Sequence, residues 1–287
     1  MKKFKIKSFC KINLSLKILE RLNNSYHNIR SFITFCNLFD IIKIYEIKGS
    51  KDKINFKGKF KNNINIKSNT ITKVLSLLRK EKFLKEQAFN IDIKKNIPHG
   101  SGLGGGSSNA ATLLNFFNKK MNLKIKKDHL YNIASQIGFD VPIVLEKKNT
   151  LLIGKNNKIF RLNKKFMLNI LIVYPNIICE TKKIYKINKK FTFPKSKSLV
   201  YTQDKRQLIN YLINENNDLE ETVIKIYPIV KRIIGYIKSQ KGCYFSRISG
   251  SGSACIGIFS DMRNAFYAQK LIKLKYPKYW SVISKTI

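Results

Sequence analysis

The run Pro98-His99-Gly100-Ser101-Gly102-Leu103-Gly104-Gly105-Gly106-Ser107-Ser108-Asn109-Ala110-Ala111 is the part of the sequence best suited to chemistry. Five of the seven residues from 100 to 106 are glycine. Without Cβ atoms, their backbone N–H groups can close on an anion. Ala110, Ala111, Leu113, Leu114 and Phe117 then follow at helical spacing. Ser107 or Ser108 is well placed as the N-cap of that helix. A helix start offers free N–H groups and partial positive charge. A glycine loop feeding a helix start is a phosphate cradle. A flexible linker would not run straight into a capped amphipathic helix.

The residues separate the known kinds of phosphate loop. A Walker A loop needs Gly-Lys-Ser/Thr ahead of its helix, and this run has no Lys. Gly100-x-Gly102-x-x-Gly105 fits the dinucleotide fingerprint in letters only. Residues 94–98 separate it from the preceding strand, which alternates instead of being continuously apolar. A protein-kinase glycine loop lies between strands and lacks the Ala-rich helix. Elsewhere, His27, His99 and His129 form no metal-ligand pair. Cys10, Cys36, Cys179, Cys243 and Cys255 are odd in number and show no C-x-x-C spacing. That argues for a reducing compartment and against structural zinc.

The elements that must hold the loop can be read from periodicity. Residues 4–18 read as strands, and Asn23-Asn24-Ser25 as a turn. Residues 31–47 look like a strand pair with Asp40 in the middle. Ile71, Val74, Leu75 and Leu78 give a helix over 70–83, and Phe89, Ile91 and Ile93 a half-buried strand. A helix over 128–137 is closed by Gly138 as a left-handed residue. A strand over 168–174 ends at Pro175, and 188–204 is a polar loop. Helices follow at 205–214, 219–224 and 229–239. A strand pair, 244–248 and 254–259, flanks a Gly/Ser turn. A helix at 264–275 and a strand at 281–286 close the chain. Without regular βαβ alternation, this is α+β in two halves joined near 150–165.

Composition fits a folded chain: 287 residues, 44% hydrophobic and 11% aromatic. The net charge of +39 suggests a polyanion partner at first sight. Yet the bases are 48 Lys and only eight Arg, accompanied by 42 Ile and 29 Asn. AT-rich codons explain that bias, and the lysines are spread along the whole chain. A dedicated nucleic-acid binder would more often cluster Arg. Lysines interrupt any apolar leader, and no run reaches the ~18 apolar residues of a membrane span. The expectation is a soluble, cytoplasmic protein.

The run at 98–111 resembles the central motif of the GHMP kinases, which include galactokinase, homoserine kinase and mevalonate kinase. Lys11-Ile12-Asn13-Leu14 resembles the family's first motif. Arg247-Ile248-Ser249-Gly250-Ser251-Gly252-Ser253-Ala254 resembles its third. All three stand in the family's order and at its distances. Phe9, Cys10, His99 and Ser101 depart from the commonest residues there, Pro, Ala, Met and Gly. Tyr26-His27, residues 32–40 and Gly138-Phe139-Asp140-Val141-Pro142 are most similar to one branch. That branch phosphorylates a cytidine-diphosphate-linked methylerythritol on the route to isoprenoids.

The resemblance implies an α+β, two-domain GHMP kinase fold with the active site in the interdomain cleft. An N-terminal ribosomal-protein-S5-like domain, 1–155, would bind ATP, followed by a C-terminal ferredoxin-like domain, 156–287. Asp140 would be the general base for the attacking hydroxyl, and Lys11 would stabilise charge at the transferred phosphoryl group. Pro98 through Ser108 would bind ATP, with Gly250, Ser251 and Gly252 packed near its terminal phosphate. Tyr26 would stack on cytosine and His27 pair with its polar edge, with Tyr185 as a second stacking face. Asn13 would hydrogen-bond the substrate or serve the structure alone. Mg2+ would bridge the phosphates; no protein ligand is assigned, although Ser108 could reach it. The partners implied are ATP and the cytidyl substrate, with no specific nucleic acid and no membrane. The chain would be a monomer or weak homodimer. Homoserine or mevalonate as acceptor is the alternative within the family, and a basic nucleic-acid-binding module the alternative outside it.

Overall fold

The protein is described by a computed structural model that covers residues 2–22, 27–62, 64–66, 68–153, 158–192 and 204–287. In chain order its elements begin with strands β1 (Phe4–Asn13), β2 (Lys17–Arg21), β3 (His27–Ile47) and β4 (Lys53–Lys57). Next come α1 (Thr70–Lys80), β5 (Ala88–Lys94), α2 (Gly105–Lys120), α3 (Lys127–Ile137) and α4 (Val141–Val144). Then follow β6 (Asn149–Ile153), β7 (Lys158–Leu162), β8 (Asn169–Tyr174) and α5 (Thr181–Ile187). The last are α6 (Lys205–Ile213), α7 (Glu220–Ile226), α8 (Pro228–Lys238), β9 (Cys243–Ile248), β10 (Cys255–Phe259), α9 (Met262–Lys275) and β11 (Trp280–Lys285). No described helix is long and apolar enough to cross a membrane.

The chain divides into two compact units. Met1–Lys11, Leu38–His99 and Gly104–Lys147 form the first. Here β4 runs parallel to β5, which pairs antiparallel with the second half of β3 from Ile41 to Ile47. Ile42, Ile44, Phe89, Ile91 and Ile93 are buried, as are Leu113, Leu114 and Phe117 of α2. The Phe89 and Phe117 rings meet edge to face at 5.0 Å. Helix α1 starts in a reciprocal cap: Asn69 accepts from the Ile71 and Thr72 N–H groups, and Thr72 Oγ1 accepts from Asn69 N–H. Its Ile71, Val74, Leu75 and Leu78 are buried. Each such side chain contributes about 2 kcal/mol on leaving water.

The second unit comprises Ile12–Asn37, Gly100–Leu103 and Lys148–Ile287. Its four-stranded antiparallel sheet has the order β11-β8-β10-β9. Every residue of β8 is buried, as suits a strand paired on both sides. Helix α8 packs on β9 and β10, and α9 on β8 and β11. The first half of β3 pairs here with β2 and β6, and β6 with β7.

Several expectations change. Residues 31–47 belong to one strand of 21 residues, not a strand pair. No Gly or Pro interrupts them, so nothing turns the chain. The N-cap of α2 is Gly104, not Ser107 or Ser108, and its φ is +66°. That left-handed residue turns the chain three or four positions earlier, and Ser108 N–H already bonds Gly104 O at 2.9 Å. Gly138 closes α3 with φ 173°, extended and not left-handed. The chain must straighten there so that Gly138 O can accept from Val141 N–H and start α4. The strand pair β6/β7 occupies the stretch near 150–165 where the two halves were expected to join. Helix α5 also went unread, because only Ile184 of its seven residues is buried and it leaves almost no apolar periodicity. Of the polar loop at 188–204, residues 193–203 lie outside the described set.

Candidate active site

In the first unit, Lys11 near the end of β1 is 5% exposed. Its Nζ lies 3.1 Å from Asp140 Oδ2. Asp140 stands at the N-cap position of α4 but makes no side-chain cap bond. Its carboxylate therefore faces a cation instead of a helix end. Gly104 explains how α2 can start beside this pair. A Cβ at Gly104 would come within 2.6 Å of Lys11 Cγ and 2.8 Å of Cε. Only glycine combines that contact with a left-handed φ. Further along, Gly106 O accepts from Thr70 Oγ1 at 2.9 Å. Ser108 Oγ is buried and has no hydrogen-bond partner among the described residues.

In the second unit, the middle of the glycine loop lies against the third motif. A Cβ at Gly102 would sit 1.9 Å from Ser249 O, and Gly102 has φ +81°. Gly100 O accepts from Cys179 N–H at 2.9 Å, and Ser101 O from Ala254 N–H at 3.0 Å. Gly102 O accepts from Ser249 Oγ at 3.2 Å. All three bonds engage loop carbonyls and none engages a loop N–H, the group an anion needs. Ser101 tolerates the place of a commoner glycine because its φ is not positive and its contact is through the backbone. Pro98 and Leu103 are buried, whereas His99 is exposed.

The third motif is itself held from below. Asn217 Nδ2 donates to Ile248 O at 3.1 Å and to Gly250 O at 2.8 Å. Glu220 accepts from Ile248 N–H at 2.9 Å, and burial raises its pKa. Arg247 donates to Leu14 O and Leu212 O, both at 2.8 Å. Ser251 Oγ shares a 2.9 Å hydrogen bond with Thr181 Oγ1. Asn13 N–H donates to Ser249 Oγ, and Asn13 Nδ2 to Ser31 Oγ at 2.8 Å. The Asn13 amide nitrogen thus serves the structure.

The structure brings His27 and Tyr185 together, with ring centroids 5.1 Å apart and tilted by 45°. His27 is 6% exposed. Burial, aided by the Arg21 charge, holds its pKa below the usual histidine value. Tyr26 lies outside the described residues. Sequence reasoning gave no role to Asn217, Glu220 or Asp40. Asn217 falls in a polar stretch and Glu220 on the expected helix 219–224, and neither belongs to a motif. Asp40 did have a signal: it is the one acid in the apolar run 31–45.

Comparison with known proteins gives the family. The family model for the GHMP kinases N terminal domain matches residues 69–147, and that for the GHMP kinases C terminal matches 203–277. A 4-diphosphocytidyl-2-C-methyl-D-erythritol kinase of Pelagibacter ubique is 39% identical over the full length of both chains. One from Wolbachia pipientis wMel is 33% identical over 98% of this chain and 97% of its own. Among solved structures, a 4-(cytidine 5'-diphospho)-2C-methyl-D-erythritol kinase superposes with a TM-score of 0.74 at 20% identity, covering 99% of this chain and all of its own. Homoserine kinase from Cytophaga hutchinsonii superposes at 0.70 with 15% identity, covering 100% and 95%. The structural likenesses establish the fold, and the full-length sequence identity narrows the branch: the chain belongs to the GHMP kinase family, among the 4-diphosphocytidyl-2-C-methyl-D-erythritol kinases.

Proposed function

We propose that the protein transfers the γ-phosphoryl group of ATP to the 2-hydroxyl of 4-diphosphocytidyl-2-C-methyl-D-erythritol. The products are the 2-phosphate and ADP, in the methylerythritol phosphate route to isoprenoids. The observation that carries the reading is the Lys11–Asp140 pair beside Gly104, in a chain 39% identical end to end to a kinase of that name.

Asp140 accepts the proton of the 2-hydroxyl as its oxygen attacks the γ-phosphorus. The bond from the γ-phosphorus to the bridging oxygen breaks, and ADP leaves. Lys11 counters the negative charge gathered on the phosphoryl oxygens. The loop from Pro98 to Ser108 holds the phosphates through backbone N–H groups of its glycines and of the first residues of α2. Gly250, Ser251 and Gly252 confine the terminal phosphate. His27 pairs with the cytosine edge while Tyr26 and Tyr185 cover its faces. Asn13 orients the substrate-side backbone through Ser249 and Ser31.

Among the described residues no cluster of His, Cys, Asp or Glu is suited to a metal ion. The unpartnered, buried Ser108 hydroxyl at the helix start fits a Mg2+ held mainly by the ATP phosphates and water. When bound, that ion supplies charge neutralisation along the phosphates. The reading takes two small molecules as partners, no specific nucleic acid and no membrane. It takes a cytoplasmic monomer or weak homodimer with a domain boundary near residue 155.

ADP release with Mg-ATP tests the reading, with the cytidyl substrate, homoserine and mevalonate as parallel acceptors. Turnover of the cytidyl substrate alone is the expected result. Turnover of homoserine or mevalonate instead would overturn the assignment of Tyr26 and His27, and of Tyr185 with them.

A further inference from the structure

The glycine run has no stiffness of its own, so something must fix its ends. Asp40 on β3 stands where it can do so. Its side chain is fully buried. Oδ1 accepts from Asn96 N–H at 2.7 Å and from Ile97 N–H at 2.9 Å. Oδ2 accepts from Asn109 Nδ2 at 3.0 Å and from the Lys95 ammonium. Asn96 Nδ2 adds a bond to Phe39 O at 2.8 Å. Residues 95–97 lead directly into Pro98, and Asn109 lies in the second turn of α2. All four donors to one carboxylate therefore come from the two segments that flank the phosphate loop.

We infer that Asp40 is a positioning residue for nucleotide binding: it ties the entry and the exit of the phosphate loop to one rigid point on β3. The inference rests on the proposed ATP-dependent reaction and adds what holds the cradle open before ATP arrives. A preformed cradle avoids the ordering cost of a glycine-rich segment at the moment of binding. A carboxylate suits the task because it offers only acceptors, and four donors converge on it. An asparagine there would turn its NH2 toward at least one of those donors and leave Lys95 buried beside a neutral group. Asp40 touches neither reacting atom, so its effect should fall on nucleotide binding and not on the alcohol.

The test uses the full chain with two substitutions, Asp40→Asn and Asn109→Ala. The second keeps the Asp40–Lys95 pair and removes only the tie to α2. ATP affinity is measured calorimetrically without acceptor. KM for ATP and KM for the cytidyl substrate are measured separately, and folding is followed by circular dichroism. Asp40→Asn is expected to weaken ATP binding about tenfold or more, and Asn109→Ala about threefold to tenfold, with acceptor KM unchanged. Unchanged ATP affinity in folded Asn109→Ala, or equal losses in both KM values, would overturn the inference. If Asp40→Asn fails to fold, Asn109→Ala decides by the same criterion. A wild-type protein that binds ATP but phosphorylates no cytidyl substrate would sink the functional reading alone, since the ATP measurement needs no acceptor.

Discussion

Asp140 and Asp40 are both carboxylates beside a lysine, and they serve opposite purposes. Asp40 has both oxygens fully engaged and none of its surface exposed. Asp140 keeps 35% of its side chain open, which leaves room to accept a proton. Asp140→Asn keeps the shape and removes that capacity. Single-turnover rates should fall about 10²- to 10⁴-fold in a protein that still folds. A folded Asp140→Asn enzyme with full turnover would end the base assignment. His27 gives a pH signature. Its folded pKa lies below the usual value, so the unfolded chain binds the proton first as pH falls. Its contribution to stability is complete above the unfolded value of 6.5 and declines as pH drops below it. The drop in Tm between neutral and mildly acidic pH should be shallower in His27→Gln than in the wild type. At this scale the sequence was legible only where a motif marked the residue. Lys11 is one of 48 lysines, and nothing but Lys-Ile-Asn-Leu distinguishes it. Asp40 closes the stretch 32–40 that resembles the branch, but nothing in that stretch gives it a role, and its partners lie up to 69 residues away in the chain.

The phosphate loop shows what one element demands of its glycines. Gly102 has a positive φ and no room for a Cβ against Ser249 O. Gly106 lies within α2, and a Cβ there would meet only Thr70, no closer than 3.7 Å. Gly102→Ala should therefore lower stability by about 1–3 kcal/mol from backbone strain, and more from the clash. Gly106→Ala should leave folding stability equal or raise it by about 0.5–1 kcal/mol, because alanine has less chain entropy to lose in a helix. Chemical denaturation of the two variants checks the pair, and equal losses would mean that neither position tolerates a Cβ. Elements with a regular apolar stripe were legible. Helix α1 was expected over 70–83 and runs Thr70–Lys80, and β9 and β10 fall where alternation put them. Elements without a stripe were not legible, as the nearly unburied α5 shows. The start of α2 was misplaced because a left-handed glycine displaced the serine that local preference favours.

On the scale of the whole molecule, +39 must be carried by one chain with 17 acids. Many of those acids are already committed to internal partners. Asp52 binds Arg79 through both oxygens, and Asp204 and Asp261 cap α6 and α9. Asp218 accepts from Ile18 N–H, and Glu215 pairs with Lys17. They therefore screen few surface lysines, and the excess charge repels itself across the molecule. Both substrates are anions, and the same field attracts them. Added NaCl should then act in two opposite directions. The screening length shrinks from about 30 Å at 10 mM salt to about 8 Å at 150 mM. Over that range Tm should rise, because repulsion in the folded state is relieved. The kcat/KM for ATP should fall, because long-range attraction is lost, while kcat stays level. Thermal melts and initial rates in the same buffers read both trends. A Tm that fell with salt would mean that ion pairs such as Asp52–Arg79 outweigh the self-repulsion, and a kcat/KM for ATP that did not fall would remove the basis for steering by the whole-molecule field.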